Sequence, residues 1–239
     1  MKYYFINNSL NNKIVGDYNQ VQGAQHHCDI WEDPNFIDKI DFIKIDFQPI
    51  ISNAILSRKA KLTDLINAQT TGFSLRLLIS SKLKDILEKY SKEKGQFFRS
   101  PVIYQNKSID GYWIFHPHFF ESNSIDYLDS KILIRKRKSE GGTFLEKIKV
   151  ENDDDFKIQN LLKNEDDYIY ISNLKIKKDF HSDFFLLSNT GGGIGYIVSE
   201  NLKKEIEDAS CTGIEFQPVE LSTTEWLHGG EREKIYGKA

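Results

Sequence analysis

The sequence predicts an α+β protein of mixed, mostly antiparallel sheets, built around a strand–helix–strand unit that occurs twice. Three observations carry that reading. A short pattern recurs at a fixed offset along the chain. Aromatic residues make up 13%, with 16 Phe and 11 Tyr, and such side chains suit the half-buried pleated surface of a strand. Finally, 239 residues with only 5 Pro contain no Pro/Ser/Gly-rich tract that would divide them into beads on a string.

The repeat places Ile79–Glu88 against Val198–Glu207 without a gap, at an offset of 119 residues (198 − 79). In each copy a β-branched residue closes a strand. A serine follows, Ser80 or Ser199, whose hydroxyl is suited to accept from a free amide in the first turn of a helix. Leu83, Ile86, Leu87 and Tyr90 then fall at helical spacing on one face, as do Leu202, Ile206 and Ala209. Lys84–Glu88, Asp85–Lys89, Lys203–Glu207 and Lys204–Asp208 are opposite charges four apart, suited to the solvent side. Gly95 and Gly213 are expected to end the helices in the left-handed conformation, and apolar strands follow at 96–104 and 214–219. The units span 71–104 and 190–221, which divides the chain into an N-terminal lobe, 1–130, and a C-terminal lobe, 131–239.

Other elements follow from local patterns. Residues 40–47 alternate through Ile43, Ile45 and Phe47 and are expected to form a strand. Lys61–Ile66 places Leu62, Leu65 and Ile66 at helical spacing and reads as a short helix. Strands are expected at 111–115 and 131–135, and a buried apolar run at 184–187. Asp153-Asp154-Asp155 and Glu165-Asp166-Asp167 read as loops or helix starts, and the polar stretch from Ser222 to Ala239 reads as partly disordered.

Charge excludes some functions. With 32 Lys+Arg against 35 Asp+Glu the formal net charge is −3, whereas binding driven by phosphate contacts favours a basic excess. Nucleic acid is therefore not an expected partner. No apolar stretch approaches the roughly 20 residues of a membrane span. The apolar start stops short of the ~7–15 residues of a signal-peptide core. Two cysteines far apart suit a reducing compartment, and the expected location is the cytoplasm.

Candidate chemistry is sparse. Gly191-Gly192-Gly193-Ile194-Gly195 precedes a strand, not the helix N-terminus that a phosphate loop needs, and reads as a hairpin turn. His116-Pro117-His118 and His26-His27-Cys28-Asp29 match no standard zinc spacing. Cys211, at a helix C-terminus, faces the negative end of a dipole, which raises a thiol pKa. Trp31, Trp113 and Trp226 read as core or rim residues. The basic run Lys131, Arg135, Lys136, Arg137 and Lys138 reads as a solvated strand end. No catalytic residue, metal ligand or cofactor site is assigned. The alternative is a small enzyme, with or without a metal, whose site assembles from dispersed His and Asp residues.

The order of these motifs carries a resemblance. Leu78–Lys84 leads the first helix, Tyr112-Trp113-Ile114-Phe115 and Ile125–Ser130 follow, and then come Phe184–Leu187 and Ile197–Lys203, running into Thr212–Phe216. In that order they resemble a bacterial family of polymorphic-toxin immunity proteins, immunity family eleven, first catalogued as a domain of unknown function. The resemblance spans roughly residues 60 to 221. It implies a non-catalytic protein that binds and blocks a cognate toxin and leaves its oligomeric state open. If that toxin is a nuclease, an acidic surface that covers its basic active site is expected, and Asp153, Asp154, Asp155, Asp166 and Asp167 are the dense acidic candidates.

Overall fold

A computed structural model of the chain describes residues 1–191 and 193–238. Within them three sheets and six helices form. The largest sheet runs β11 (Thr143–Ile148), β10 (Lys131–Arg137), β12 (Tyr168–Asn173), β13 (Phe184–Thr190), β14 (Gly193–Ser199), β1 (Tyr3–Asn8) and β15 (Ile214–Pro218). A second has the order β4 (Leu65–Ile66), β5 (Leu77–Ser80), β9 (Tyr112–Pro117) and β6 (Gly95–Arg99). The third is β2 (Val21–Gln25), β3 (Asn53–Leu56), β7 (Val102–Tyr104) and β8 (Lys107–Ile109). The helices are α1 (Asn12–Val15), α2 (Ser81–Glu88), α3 (Asp153–Leu162), α4 (Glu200–Asp208), α5 (Thr223–Leu227) and α6 (Glu231–Tyr236). Only β12–β13 and β3–β7 pair in parallel among the described strands, so the fold is α+β with mostly antiparallel sheets.

The two strand–helix–strand units have the same connectivity. In the first, β5 and β6 both pair antiparallel with β9, which lies between them. In the second, β14 and β15 both pair antiparallel with β1. Each unit is thus a parallel pair split by a strand from elsewhere in the chain, crossed by one helix. The contacts also match. Ser80 accepts from the Leu83 amide at 3.3 Å and donates to Asp64 Oδ1 at 2.6 Å. Ser199 accepts from the Leu202 amide at 3.2 Å and donates to Asp183 Oδ1. The two aspartates are 119 residues apart (183 − 64), the offset of the repeat itself. Lys84 Nζ sits 5.6 Å from the Phe97 ring centre and 5.1 Å from that of Trp113; Lys203 Nζ sits 5.4 Å from each of Tyr4 and Phe216.

The units also share a core. Ile79, Leu83, Leu87 and Phe115 from one meet Val198, Leu202, Ile206 and Phe216 from the other. Across the helix pair, Glu205 takes Lys89 Nζ at 2.7 Å and the Tyr90 hydroxyl at 2.6 Å. A second core fills the first half around Phe36, Phe73 and Ile114, and a third lies under the largest sheet around Tyr127, Phe156 and Phe185. The expected division at residue 130 assigns β1 to the first half; its hydrogen bonds run to β14 and β15 of the second.

Several local expectations are corrected. Residues 40–47 form no strand, because distant side chains take up their backbone groups. Arg76 donates to the carbonyls of Ile37 and Ile40 at 2.8 and 3.0 Å, and His116 Nε2 lies 2.9 Å from that of Ile43. The Gln96 side-chain amide engages both the N–H and the C=O of Ile45 at 2.7 Å, acting as a one-residue strand partner. The helix expected over 61–66 is instead the approach to β4, with the Asp64 and Leu65 amides both donating to the Thr212 carbonyl at 3.1 Å. The two glycines do not terminate the helices. Gly95 opens β6, where a Cβ would lie 2.2 Å from the Phe115 ring. After α4 it is Ser210, at φ 52, that turns left-handed. Ser222–Tyr236 is not disordered. Ser222 and Glu225 form a capping box, Trp226 is 2% exposed and Arg232 is buried.

Candidate interaction surface

The acidic residues singled out from the sequence are mostly committed to local structure. Asp153, Asp154 and Asp155 occupy the first turn of α3, where negative charge favours the helix dipole. Asp153 accepts from the buried Tyr127 hydroxyl at 2.8 Å and pairs with Lys157 at 2.6 Å. Burial opposes its ionisation, but those bonds prevail and hold its carboxyl below the ordinary range. Asp155 accepts from the Glu151 amide and from Gln159. Asp167 is buried against Asn164. Asp154 and Asp166 face solvent, Asp166 at 3.3 Å from Arg137.

The histidines and cysteines are dispersed. His116 is buried between Arg76 Nε, 3.2 Å from its Nδ1, and the Ile43 carbonyl. Nδ1 must therefore accept, and Nε2–H donates. Burial, with Arg76 adding to it, pushes the His116 pKa down to about 4. His26 Nδ1 lies 2.8 Å from Ser52 Oγ. Burial and then Asp64 push the Cys211 thiol up to about 11, the direction opposite to that of an activated nucleophile. Among the described residues no group of three or more His, Cys, Asp or Glu is placed to hold a metal, and no helix is long and apolar enough to cross a membrane.

A cleft of about 310 Å³ opens beside β1, between Asn7, Tyr18, Gly191 and Trp226, and a wider one of about 800 Å³ adjoins it along Gln69, Leu75 and Tyr196. The polar groups around them are largely occupied. Glu215 is held by Arg232 through two bonds of 2.6 Å and also accepts from Ser9 and the Leu10 amide. Gln217 bonds Asn7 and the Leu221 carbonyl, and the Tyr196 hydroxyl donates to the Leu75 carbonyl at 2.7 Å. What the surface offers is therefore contact area more than reactive groups. Trp31 is 76% exposed, and Ile158, Leu161 and Leu162 of α3 also face solvent.

A family model described as Immunity protein family (Imm11) matches residues 3–221. The chain belongs to that immunity family. The match runs from β1 through β15 and so takes in all three sheets of this Imm11 chain, while α5 and α6 follow it. It also begins well before residue 60, in keeping with the place of β1 between β14 and β15. No curated protein matches the chain. Sequence reasoning on this family member missed Asp64 and Asp183, although their shared offset marks them. It also missed Arg76 and Arg232, whose buried roles no local pattern shows.

Proposed function

We propose that the chain is a cytoplasmic immunity protein that neutralises a cognate bacterial toxin domain by binding it, with no turnover of its own. The family match over residues 3–221 carries the reading. The commitments of its polar groups support it. His116 has both ring nitrogens engaged, Asp38 is tied to Arg76 at 3.1 Å, and Glu215 and Arg232 satisfy one another. A small enzyme built from dispersed His and Asp residues needs such groups convergent and free in a cleft.

The test is co-expression with candidate toxin domains, followed by purification of what the tagged chain retains. The expected outcome is that the chain rescues growth from one of the toxins and forms a one-to-one complex with it, burying roughly 1,200–2,000 Å² in total. Rescue without a complex, with the toxin or its product chemically altered, would instead establish the enzyme.

A further inference from the structure

At one end of the largest sheet, β10 and β12 have one face in the core and one open, and the edge strand β11 beside them is exposed on both faces as far as Ile148. Ile132, Ile134, Ile169 and Ile171 enter the third core, so their neighbours along each strand point the other way. The register sets these in rows. Tyr168 is opposite Arg135, which is opposite Leu145; Tyr170 is opposite Leu133, which is opposite Lys147. The Tyr168 and Tyr170 rings stack at 5.7 Å and 15°, and the Arg135 guanidinium lies 5.6 Å from the centre of Tyr168. Arg135, Arg137 and Lys147 are exposed, and Leu145 is 55% exposed. Towards β13 the Tyr168 hydroxyl donates to the Thr190 carbonyl at 3.4 Å, and the Tyr170 ring borders Gly191.

The alternation also sorts the basic run. Lys136 turns to the opposite side, where it pairs with Glu146 at 2.6 Å, while Arg135 and Arg137 stay on the open face. With Lys147 they make a cationic patch on a chain whose net charge is −3, and one acidic group, Asp166, touches it through Arg137. Tyr and Arg around a partly buried apolar centre are the chemistry of protein-interface anchors. The stack and the Arg–Tyr contact hold these side chains in place before any partner arrives, which lowers the entropy lost on docking. So few cations, one already neutralised, would release few counterions from a nucleic acid.

We propose that this open face is the docking surface for the toxin domain, and that it takes an acidic patch with an apolar centre on that partner. The assignment rests on the immunity reading above. Its test uses the full chain and a catalytically inactivated form of the toxin domain whose toxicity the wild-type chain suppresses. In the complex, amide exchange should slow in β10, β11 and β12. The double variant R135E/R137E, and separately Y168A, should each weaken affinity at least tenfold. Affinity of the wild type should fall as salt is raised, and that of R135E/R137E should fall less. Asp154→Lys, on α3, should bind as the wild type does. Thermal unfolding of each variant reports whether it folds; if one does not, exchange protection in the wild-type complex decides alone. A complex that forms and suppresses toxicity, with protection elsewhere and R135E/R137E binding unchanged, overturns this surface and leaves the immunity reading intact. A wild-type chain that suppresses and binds no toxin overturns both. Tight, salt-sensitive binding of the wild type to a duplex DNA or RNA oligonucleotide, lost in R135E/R137E, overturns the choice of a protein partner.

Discussion

His116 illustrates how one residue organises a segment that sequence pattern alone misassigns. It is held neutral in the fold, with a pKa pushed down to about 4 by burial and by Arg76. In the unfolded chain an imidazole titrates near 6.5. Between those values the unfolded state binds a proton that the folded state refuses, so stability present above pH 6.5 is lost as the pH falls towards 4. The contribution is on the order of 3 kcal/mol over that window. Urea unfolding of the wild type at pH 7.5, 6 and 5 should show this decline, and His116→Gln should flatten it. Identical slopes in the two proteins would show that the histidine is not the group responsible. The same ring and Arg76 take the carbonyls of residues 37–43, which is why an alternating sequence there forms no strand. The pattern of Ile43, Ile45 and Phe47 shows which residues are apolar, but not that partners 51 and 73 residues away will take up the backbone of Ile45 and Ile43.

At the scale of elements, the helices of both units were legible because every signal for them is local. The serine, the apolar spacing and the charge pairs all lie within ten residues of one another. Strand order was not legible, since β9 enters between β5 and β6 from just after its unit, whereas β1 enters between β14 and β15 from the opposite end of the chain. The aspartates beneath the caps fall between these cases. Asp64 and Asp183 precede β4 and β13, and each receives the cap serine's hydroxyl while its own carbonyl accepts that serine's amide, at 2.8 and 2.9 Å. Burial raises the Asp64 pKa, but bonds from Ser80, the Thr212 amide and Lys82 outweigh it and leave the group below its ordinary value. A depressed carboxyl stabilises the fold above its unfolded pKa, and that contribution is lost as the pH falls through the folded value. Asp64→Asn should therefore lose about 1.5 kcal/mol or more at pH 7, with the gap to the wild type closing below about pH 4. Ser80→Ala and Ser199→Ala should each lose about 1 kcal/mol, matched because the contacts match. A loss at one serine and none at the other would mean that the two caps, alike in geometry, differ in what their helices need.

For the molecule as a whole, the informative segment is the one whose composition reads as dispensable. Its polar residues lie outward, and the two that matter, Trp226 and Arg232, are too few to mark a periodic face. The structure seats Trp226 against Tyr236 at 6.1 Å and inserts Arg232 beside Glu215, each 3% exposed or less. The Tyr236 hydroxyl also accepts from the Phe216 amide on the outer strand of the largest sheet, at 2.8 Å. Deleting residues 222–239 would uncover that edge, remove a wall of the smaller cleft and leave Glu215 without its cation. Burial of the tryptophan alone is worth roughly 2–3 kcal/mol. A loss of that size lowers the unfolding midpoint of a chain this long by about 4–12 °C. Arg232→Ala in the full chain separates the two contributions. A buried carboxylate stripped of its partner costs about 3 kcal/mol or more if the helix stays seated, and less if α6 lifts and lets water reach Glu215. Limited proteolysis distinguishes these outcomes, because only a lifted helix exposes new cleavage sites between Leu221 and Tyr236. A deletion that left the midpoint unchanged would return this segment to the status of an appended tail, with the sheet edge stable on its own.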